Sequence, residues 1–393
     1  MRNNGHMRYL SSPILSDLNS KMVLLSGPRQ VGKTYLANAL LGPGDLYLNW
    51  DDPDHRRRIR RREWSDDAGT IALDEIHKFA KWRNWLKGTY DTQKAQHRFL
   101  VTGSARLDLY RRGGDSILGR YHAWRLHPIC LAEHAHGLQS PPAIGIREAF
   151  DRLLRFGGFP EPYLSGDETT ARRWRKERRE LILREDLRDL ERVREVSQVG
   201  LLLDLLTERV GGMIVASNLA EDLDVAPRTV QNWMDILERL YLGFRVKPFT
   251  GKMARAIRKP PKFYFFDNAD VPAQENGSLG PRFENLVATH LLKRLNFLED
   301  SQGEQLELRY VRDKEGHECD FVVLRRRKPV LLVEAKWSDA TPSRDLSFFG
   351  DRLGVTQRVQ VVAELHKSIT AQGTRVVPAS DWLSLPLDEP LWS

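Results

Sequence analysis

A glycine-rich segment near the start of the chain carries the residue types that bind nucleotide phosphates. It runs Gly27-Pro28-Arg29-Gln30-Val31-Gly32-Lys33-Thr34, which is the G-x4-G-K-T pattern of a phosphate-binding loop. The glycines let backbone N–H groups turn toward the phosphates, and the helix that follows adds the positive end of its dipole. Lys33 would reach the terminal phosphates of ATP, and the Thr34 hydroxyl would bind Mg²⁺. The segment therefore predicts a site for ATP and Mg²⁺.

An acidic pair and a later polar residue supply what hydrolysis needs. Asp74 and Glu75 follow an apolar run in TIALDEIHK, as expected for a strand that brings carboxylates to the carboxyl edge of a parallel sheet. Asp74 would hold Mg²⁺ through water, and Glu75 would orient or deprotonate the attacking water. The next apolar run, RFLVTGSARL, ends in Thr102 and Ser104, and a polar group there can lie between the γ-phosphate and the water. We expect hydrolysis of ATP, with Glu75 and Ser104 as catalytic residues.

Arginines before the fifth expected strand are candidates for a residue that acts on a neighbouring subunit. Arg111, Arg112 and Arg120 lie in the segment before AWRLHP. In ring-forming ATPases this segment faces the adjacent subunit and contributes an arginine finger to its γ-phosphate. We favour Arg120, because Gly119 would end a helix and direct it outward. Ordinary salt bridges remain the alternative for each arginine.

A second group of acids and a lysine lies far along the chain. In HECDFVVLRRRKPVLLVEAKW, Asp320 opens one apolar run, and Glu334 and Lys336 lie two residues apart on the next. Residues two apart on a strand point to the same face, where Asp320 of the adjacent strand can meet them. Glu284, on a preceding amphipathic helix, would complete a nuclease-like quartet. Asp320 and Glu334 would bind one or two Mg²⁺ ions, and Lys336 would polarise the scissile phosphate or lower the pKa of the attacking water. The pattern leaves open whether the tail cleaves DNA or only binds it.

Four domains are expected to position these residues. The fold class is α/β: a P-loop NTPase core with a parallel sheet over residues 1–140, then a helical lid over 141–210. A winged helix over 211–270 and a small restriction-endonuclease-like α/β domain over 271–393 would follow. In ASNLAEDLDVAPRTVQNWMDILERLYLGFRV, two amphipathic helices flank a short turn, which is helix-turn-helix patterning. GFRVKPF and KFYFFDN are predicted to be two strands of a wing.

DNA is the predicted partner of the winged helix. The second helix would present polar residues to a groove, and the wing loop would present basic residues to phosphates. The helix residues are Arg228, Thr229, Gln231 and Asn232, and the wing residues are Lys252, Arg255, Arg258, Lys259 and Lys262. The alternative is a winged helix that acts only as a spacer or as an oligomer contact.

Composition agrees with a polyanionic partner. The 393-residue chain has a formal net charge of +8, and its pI is about 9.4. Six arginines lie within HRRRIRRR, starting at His55, where nearby aspartates (Asp51, Asp52, Asp54, Asp66, Asp67) would either neutralise a solvated helix or leave a basic site. No apolar run is long enough to cross a membrane, and two distant cysteines indicate a reducing cytoplasm.

The order of these motifs resembles a known family. LNWDD, LDEIHKFAKWRNWLKGTYD and VTGSARLDLYRRGGDSILGRYHAWRLHP resemble prokaryotic AAA-type P-loop ATPases that carry a C-terminal winged helix and a restriction-endonuclease-like domain of unknown function. The resemblance covers nearly the whole chain. It implies ATP hydrolysis and a homo-oligomer, and the position of RRGGDSILGR before the fifth expected strand favours a ring, most simply a hexamer. It supports Lys33, Thr34, Asp74, Glu75 and Ser104 as site residues.

The sequence leaves two functions open. In the first, the chain is an ATP-driven DNA-remodelling machine that acts on forks, junctions or ends, and its nuclease-like tail handles DNA. In the second, it is a regulatory switch ATPase of a toxin–antitoxin or defence type, and its C-terminal half binds a protein. DNA should stimulate ATP hydrolysis in the first case and not in the second.

Overall fold

The computed structural model describes residues 8–103, 117–138, 144–187, 196–250, 259–272 and 278–392. These residues form two compact units. The first comprises residues 1–128 with 137–140, and the second comprises residues 129–136 with 141–393. The segments predicted as lid, winged helix and tail therefore lie within one unit.

The first unit is built on a five-stranded parallel sheet with the order β2-β3-β4-β1-β5. Its strands are β1 (Met22–Ser26), β2 (Leu46–Asn49), β3 (Thr70–Asp74), β4 (Arg98–Thr102) and β5 (Tyr121–Arg125). Every residue of β1 and β3 is buried, as expected for strands covered on both faces of a parallel sheet. The predicted P-loop NTPase-like sheet is thereby confirmed, with β5 as its fifth strand.

Helices connect and cover these strands. They are α1 (Ser11–Asp17), α2 (Lys33–Leu40), α3 (Pro53–Arg61) and α4 (Trp82–Gln93), with a 3₁₀ turn at Ile76–Lys78. The core joins the strands to Ile59 of α3 and to Trp82 and Leu86 of α4. This packing fixes the carboxyl ends of β1, β3 and β4, where the predicted ATP site lies.

The second unit contains a mixed eight-stranded sheet with the order β12-β13-β11-β10-β9-β8-β6-β7. Its strands are β6 (Gly243–Pro248), β7 (Lys262–Phe265), β8 (Leu306–Arg312), β9 (Glu318–Arg325), β10 (Lys328–Lys336), β11 (Arg358–Val362), β12 (Ile369–Ala371) and β13 (Thr374–Pro378). The β6–β7 hairpin, predicted as a separate wing, joins the larger sheet because Lys247 and Pro248 of β6 pair with β8.

Some helices of the second unit precede the strands of this sheet in the chain, and others pack against its faces. They are α5 (Leu131–Ala135), α6 (Ile146–Phe156), α7 (Pro160–Ser165), α8 (Glu168–Leu181), α9 (Val196–Thr207), α10 (Ala216–Asp222), α11 (Pro227–Arg239), α12 (Gly280–Gln302), α13 (Arg344–Leu353) and α14 (Ala379–Leu383). A π-helical turn at Ile182–Asp186 continues α8, and Asn268–Asp270 form a 3₁₀ turn.

Strand β7 separates two environments by its alternating side chains. Phe263 and Phe265 are buried in the apolar core that α9, α10 and α11 share. Lys262 and Tyr264 point to the opposite face, as the period of a strand requires. That face meets α12 and β9, so one short strand connects the helical layer to the acidic residues of the tail.

Candidate functional site

The phosphate-binding loop lies between β1 and α2. At Gly27, φ is +150°, and a Cβ atom would come within 2.4 Å of the Leu126 carbonyl oxygen. No other residue fits there, because the loop backbone approaches Leu126 so closely. Gly32 is left-handed (φ 96°) and caps α2, which begins at Lys33 as predicted. The two glycines thus set the turn that a phosphate needs.

The amine of Lys33 lies over this loop. Its Nζ donates hydrogen bonds to the carbonyl oxygens of Gly27 at 3.0 Å and Pro28 at 2.7 Å. The side chain is buried against the loop rather than extended into solvent. It therefore holds positive charge at the place where the loop would receive phosphates.

Asp74 is the centre of the site. Its carboxylate accepts hydrogen bonds from the hydroxyls of Thr34 at 2.6 Å and Tyr47 at 2.7 Å, and from the hydroxyl of Thr102. The Glu75 N–H donates to the same carboxylate at 3.0 Å. Thr34 and Asp74, the two predicted Mg²⁺ ligands, are thus adjacent. A hydroxyl and a carboxylate beside a phosphate loop are the oxygen ligands that Mg²⁺ takes in such sites.

Glu75 is held in a strained backbone conformation beside Asp74. Its φ is 57°, an uncommon value for a residue with a Cβ. Its carboxylate lies 3.5 Å from Lys78 Nζ and 3.6 Å from His77 Nε2. Burial raises the pKa of Glu75 above its ordinary value, and Lys78 and Lys33 partly oppose that rise. The group is therefore a stronger proton acceptor than an exposed glutamate, as a general base requires.

Tyr47 and Lys78 are site residues that the sequence did not reveal. Tyr47 lies on β2, where Asn49 is in register with Asp74 of β3. Burial, followed by the hydrogen bond to Asp74, raises the pKa of Tyr47, so its hydroxyl remains a donor. Lys78 also binds Asp51 at 2.6 Å. A polar residue two before the end of a neighbouring parallel strand was the available signal for Tyr47.

Of the residues predicted as arginine finger and catalytic serine, the structure describes only Arg120. Ser104, Arg111 and Arg112 lie outside the described residues. Arg120 binds Asp91 of α4 through two hydrogen bonds, of 2.7 and 2.9 Å. Its side chain remains 31% exposed. The guanidinium therefore has a partner in its own unit, and a role on a neighbouring subunit stays a prediction.

The tail residues predicted to share a pocket do come together. The Asp320 N–H donates to Glu334 at 3.4 Å, and the Ala335 N–H donates to Asp320 at 3.0 Å. Lys336 Nζ lies 2.8 Å from Glu334. Glu284 of α12 joins them through Lys262, which lies 3.3 Å from both Glu284 and Asp320.

The assignment of Lys262 to a phosphate-contacting wing loop is wrong. Lys262 is the first residue of β7, and only 3% of its side chain is exposed. Its Nζ also lies 2.6 Å from Glu318, a cluster member that the sequence did not single out. Lys262 continues a basic run in the sequence, but strand alternation turns its side chain toward the face of the sheet that carries the acidic residues.

We define the carboxylate cluster as Glu284, Glu318, Asp320 and Glu334, and burial has its clearest electrostatic effect on Glu284 and Glu334. Burial first, and then the charge of Asp320, raise the pKa of Glu284 to about 7 and that of Glu334 to about 8. Burial opposes the charge of Lys262, but the surrounding carboxylates outweigh it and raise the pKa of Lys262. Among the described residues, no three His, Cys, Asp or Glu side chains are arranged to hold a metal ion.

The predicted DNA-binding helix has the expected two faces. Arg228, Gln231 and Asn232 of α11 are exposed, and Thr229 is half-buried. The opposite face is buried, through Val230, Trp233, Met234 and Leu237. Lys259 is exposed, whereas Lys252, Arg255 and Arg258 lie outside the described residues.

A groove of about 360 Å³ runs beside this helix. Gln231, Lys247 and Lys259 line it. Arg245 also lines it, but Asp235 and Glu238 bind its guanidinium, the latter at 2.5 Å. The groove thus has a mixed lining of apolar and polar side chains, with two lysines and one neutralised arginine.

The sequence of the arginine-rich helix α3 fits either a solvated helix neutralised by aspartates or a basic site, and the structure shows features of both. Asp52 is used as the N-cap, and Asp54 pairs with Arg57 at 3.2 Å. Arg56 and Arg60 instead stack over the Trp50 ring, at 5.6 and 5.4 Å from its centroid. Only part of the helix charge is therefore neutralised by nearby aspartates.

Among the described residues, no helix has both the length and the apolar character needed to cross a membrane.

Successive segments of the chain match three protein families. Residues 19–135 match an AAA domain, residues 147–274 a domain of unknown function (DUF8612), and residues 279–382 another domain of unknown function (DUF4143). An uncharacterized protein of Mycobacterium tuberculosis is 25% identical over 327 residues, which cover 78% of this chain and 71% of the relative. An uncharacterized protein of Methanocaldococcus jannaschii is 21% identical over 358 residues, or 84% and 78% of the two chains. The first unit therefore carries an AAA-type P-loop ATPase domain.

Proposed function

We propose that this chain is a Mg²⁺-dependent ATPase that couples hydrolysis to the handling of DNA, with branched DNA such as forks and junctions as the favoured substrate. The observation that carries the enzymatic part is the Asp74 carboxylate. It joins Thr34 of the phosphate loop at 2.6 Å to the Glu75 backbone at 3.0 Å. Phosphate cradle, metal ligands and general base are thus connected by direct hydrogen bonds.

Each residue of this site has a defined part in hydrolysis. Lys33 places its ammonium over the loop to meet the terminal phosphates of ATP, and the glycine turn presents backbone N–H groups. Mg²⁺, when bound, neutralises charge that develops on the phosphate oxygens. Glu75 accepts a proton from the attacking water, which its raised pKa favours. Tyr47 and Thr102 keep the Asp74 carboxylate oriented toward Thr34.

The DNA-binding part rests on the second unit, where we assign a winged-helix role to α10, α11 and the β6–β7 hairpin. The exposed face of α11 offers Arg228, Gln231 and Asn232, which are side chains suited to base edges and phosphates. Lys247 and Lys259 line the adjoining groove. Such contacts release counterions, so affinity should fall steeply as salt rises.

We further propose a ring, most simply a hexamer, in which Arg120 acts on the ATP of the next subunit. The Arg120–Asp91 pair is exposed enough to exchange partners, because the two side chains are 31% and 38% exposed. An arginine finger is worth about 10³- to 10⁵-fold in turnover. Arg120→Ala should therefore lose turnover while it retains ATP affinity, and Asp91→Ala should not. A monomeric mass by light scattering with ATP present would contradict the ring.

A regulatory ATPase whose C-terminal half binds a protein is the second candidate. The observation that favours it is Arg245, because Asp235 and Glu238 already neutralise this most buried cation of the groove. The groove then offers DNA less positive charge than its sequence indicates. A polar protein segment would fit a groove of mixed charge.

One panel separates the two functions. ATP turnover and gel shifts would be measured with single-stranded, duplex, forked and four-way DNA, and Lys33→Ala would serve as the control for turnover. Stimulation by branched DNA, together with a salt-sensitive shift, supports the DNA-coupled ATPase. Slow turnover that no DNA changes, without a shift, supports the regulatory ATPase. A wild-type protein that hydrolyses no ATP under any condition contradicts both.

A further inference from the structure

The strand that carries Lys262 is fixed at several points of the backbone. Lys262 pairs with Val246 of β6 and forms a bridge with Met213. The preceding Pro261 carbonyl accepts a hydrogen bond from Ile214 N–H at 2.7 Å. The position of the Lys262 side chain is therefore set by the sheet and not by a loop.

Three carboxylates surround the ammonium of Lys262. Its Nζ lies 2.6 Å from Glu318, 3.3 Å from Glu284 and 3.3 Å from Asp320. A lysine ammonium has three N–H donors, so each can meet one carboxylate. The side chain is 3% exposed, which leaves little room for water to share these contacts.

Neighbouring residues close the cluster around the same point. Tyr264, two residues along β7, donates its hydroxyl to Glu284 at 2.7 Å. Gly211 lies against that carboxylate, since a Cβ there would come within 2.8 Å of Glu284 Oε1. Glu284 is thus contacted by the hairpin on one side and by the segment before α10 on another.

Carboxylates this close repel one another unless one of them is protonated or a cation lies between them. The sequence pattern offers Asp320 and Glu334 to a divalent metal, but the position among Glu284, Glu318 and Asp320 is filled by an ammonium. We infer that Lys262 is the resident cation of the carboxylate cluster. It replaces the divalent metal of a nuclease-like site and fastens the β6–β7 hairpin to α12 and β9.

Two consequences follow for the second unit. Metal-assisted cleavage requires a cation that binds phosphate and water, and a fully engaged lysine ammonium provides neither coordination site. The tail is therefore a metal-independent joint between the helix–turn–helix segment and the sheet. The ammonium of Lys262 balances the negative charge of the surrounding carboxylates. This inference concerns the second unit alone and stands or falls independently of ATP hydrolysis.

Mn²⁺ binding without nucleotide tests the inference, because carboxylate sites accept Mn²⁺ in place of Mg²⁺. Bound Mn²⁺ would be counted by electron paramagnetic resonance for the full chain and for Asp320→Asn. We expect the two proteins to bind the same amount, since any Mn²⁺ at the first unit is common to both. Asp320-dependent binding by the wild type overturns the inference.

Neutral variants at position 262 provide the converse test. Lys262→Met and Lys262→Gln remove the ammonium and should create a Mn²⁺ site that the double variant with Asp320→Asn loses. Circular dichroism establishes which of these variants is folded. A folded variant that gains no Asp320-dependent site contradicts the inference. If neither variant folds, the comparison of wild type with Asp320→Asn still decides.

Discussion

The Asp74 site of the first unit and the carboxylate cluster of the second unit differ in what surrounds their carboxylates. In the first unit, Asp74 accepts hydrogen bonds from the neutral hydroxyls of Thr34, Tyr47 and Thr102. In the second unit, Glu284, Glu318 and Asp320 surround the buried ammonium of Lys262. Neutral donors can move aside for a metal ion, whereas a lysine fixed by a strand holds its charge in place. Acidic motifs that look alike in sequence can thus form a reactive site or a structural joint.

The largest expected effect is on ATP turnover, which should depend on Glu75 and not on the carboxylate cluster. Glu75→Gln removes the proposed proton acceptor and leaves the phosphate loop intact, so turnover should fall about 10²- to 10⁴-fold while ATP binding persists. Glu334→Gln is the matched change in the tail and should leave turnover unchanged. Steady-state ATPase assays with a nucleotide-binding assay measure both. Wild-type turnover by Glu75→Gln would remove Glu75 as the base.

The next effect concerns stability. Lys262→Met leaves three carboxylates around a neutral side chain, and breaking a buried ion pair from one side costs about 3–5 kcal/mol. Lys336→Met should cost less, because Lys336 is 39% exposed and contacts mainly Glu334. Unfolding in urea would be monitored by hydrogen exchange in peptides from β9 and α12. This measures the stability of the second unit separately from that of the first. Equal losses of unfolding free energy for the two variants would show that Lys262 stabilises the second unit no more than Lys336 does.

Glu334 should make the free energy of unfolding of the second unit depend on pH, by roughly 1 to 3 kcal/mol. Its pKa is raised from 4.5 to about 8, so the folded protein binds its proton more tightly than the unfolded chain. The stability this provides is complete below pH 4.5 and is lost as pH rises toward 8. Unfolding of the second unit should therefore become easier over that range. Glu334→Gln should flatten the profile, and an unchanged slope would show that Glu334 titrates normally.

The smallest effect tests the neutral donors of the first cluster. Tyr47→Phe removes one hydrogen bond to Asp74, and such a bond contributes about 0.5–1.5 kcal/mol. Turnover should fall a few-fold, with no change in the second unit. Tyr163→Phe is the control, since that hydroxyl contacts His134 of the second unit at 3.1 Å. A loss as large as that of Glu75→Gln would give Tyr47 a direct role in catalysis.

Local patterns predicted the parts of both clusters that adjacent segments determine. The strand Met22–Ser26, the start of α2 at Lys33 and the meeting of Asp320 with Glu334 all follow from periodicity and motif spacing. Each depends on residues close in sequence or on two neighbouring strands. Such features are visible without knowledge of the whole sheet.

Contacts between distant segments could not be predicted in the same way. Lys262 meets Asp320 only because β6 pairs with β8 and brings β7 to the acidic face. Tyr47 reaches Asp74 through the register of β2 with β3, and Arg120 meets Asp91 across 29 positions. A basic run indicates charge but not the face of the sheet to which one lysine points.

The most direct test of the contrast is the number of Mn²⁺ ions bound per chain in the presence of a non-hydrolysable ATP analogue. Spin resonance with wild type, Asp74→Asn and Asp320→Asn measures it. We predict one tightly bound ion, lost in Asp74→Asn and retained in Asp320→Asn. A second tightly bound ion that disappears in Asp320→Asn would contradict the account, because both clusters would then be metal sites.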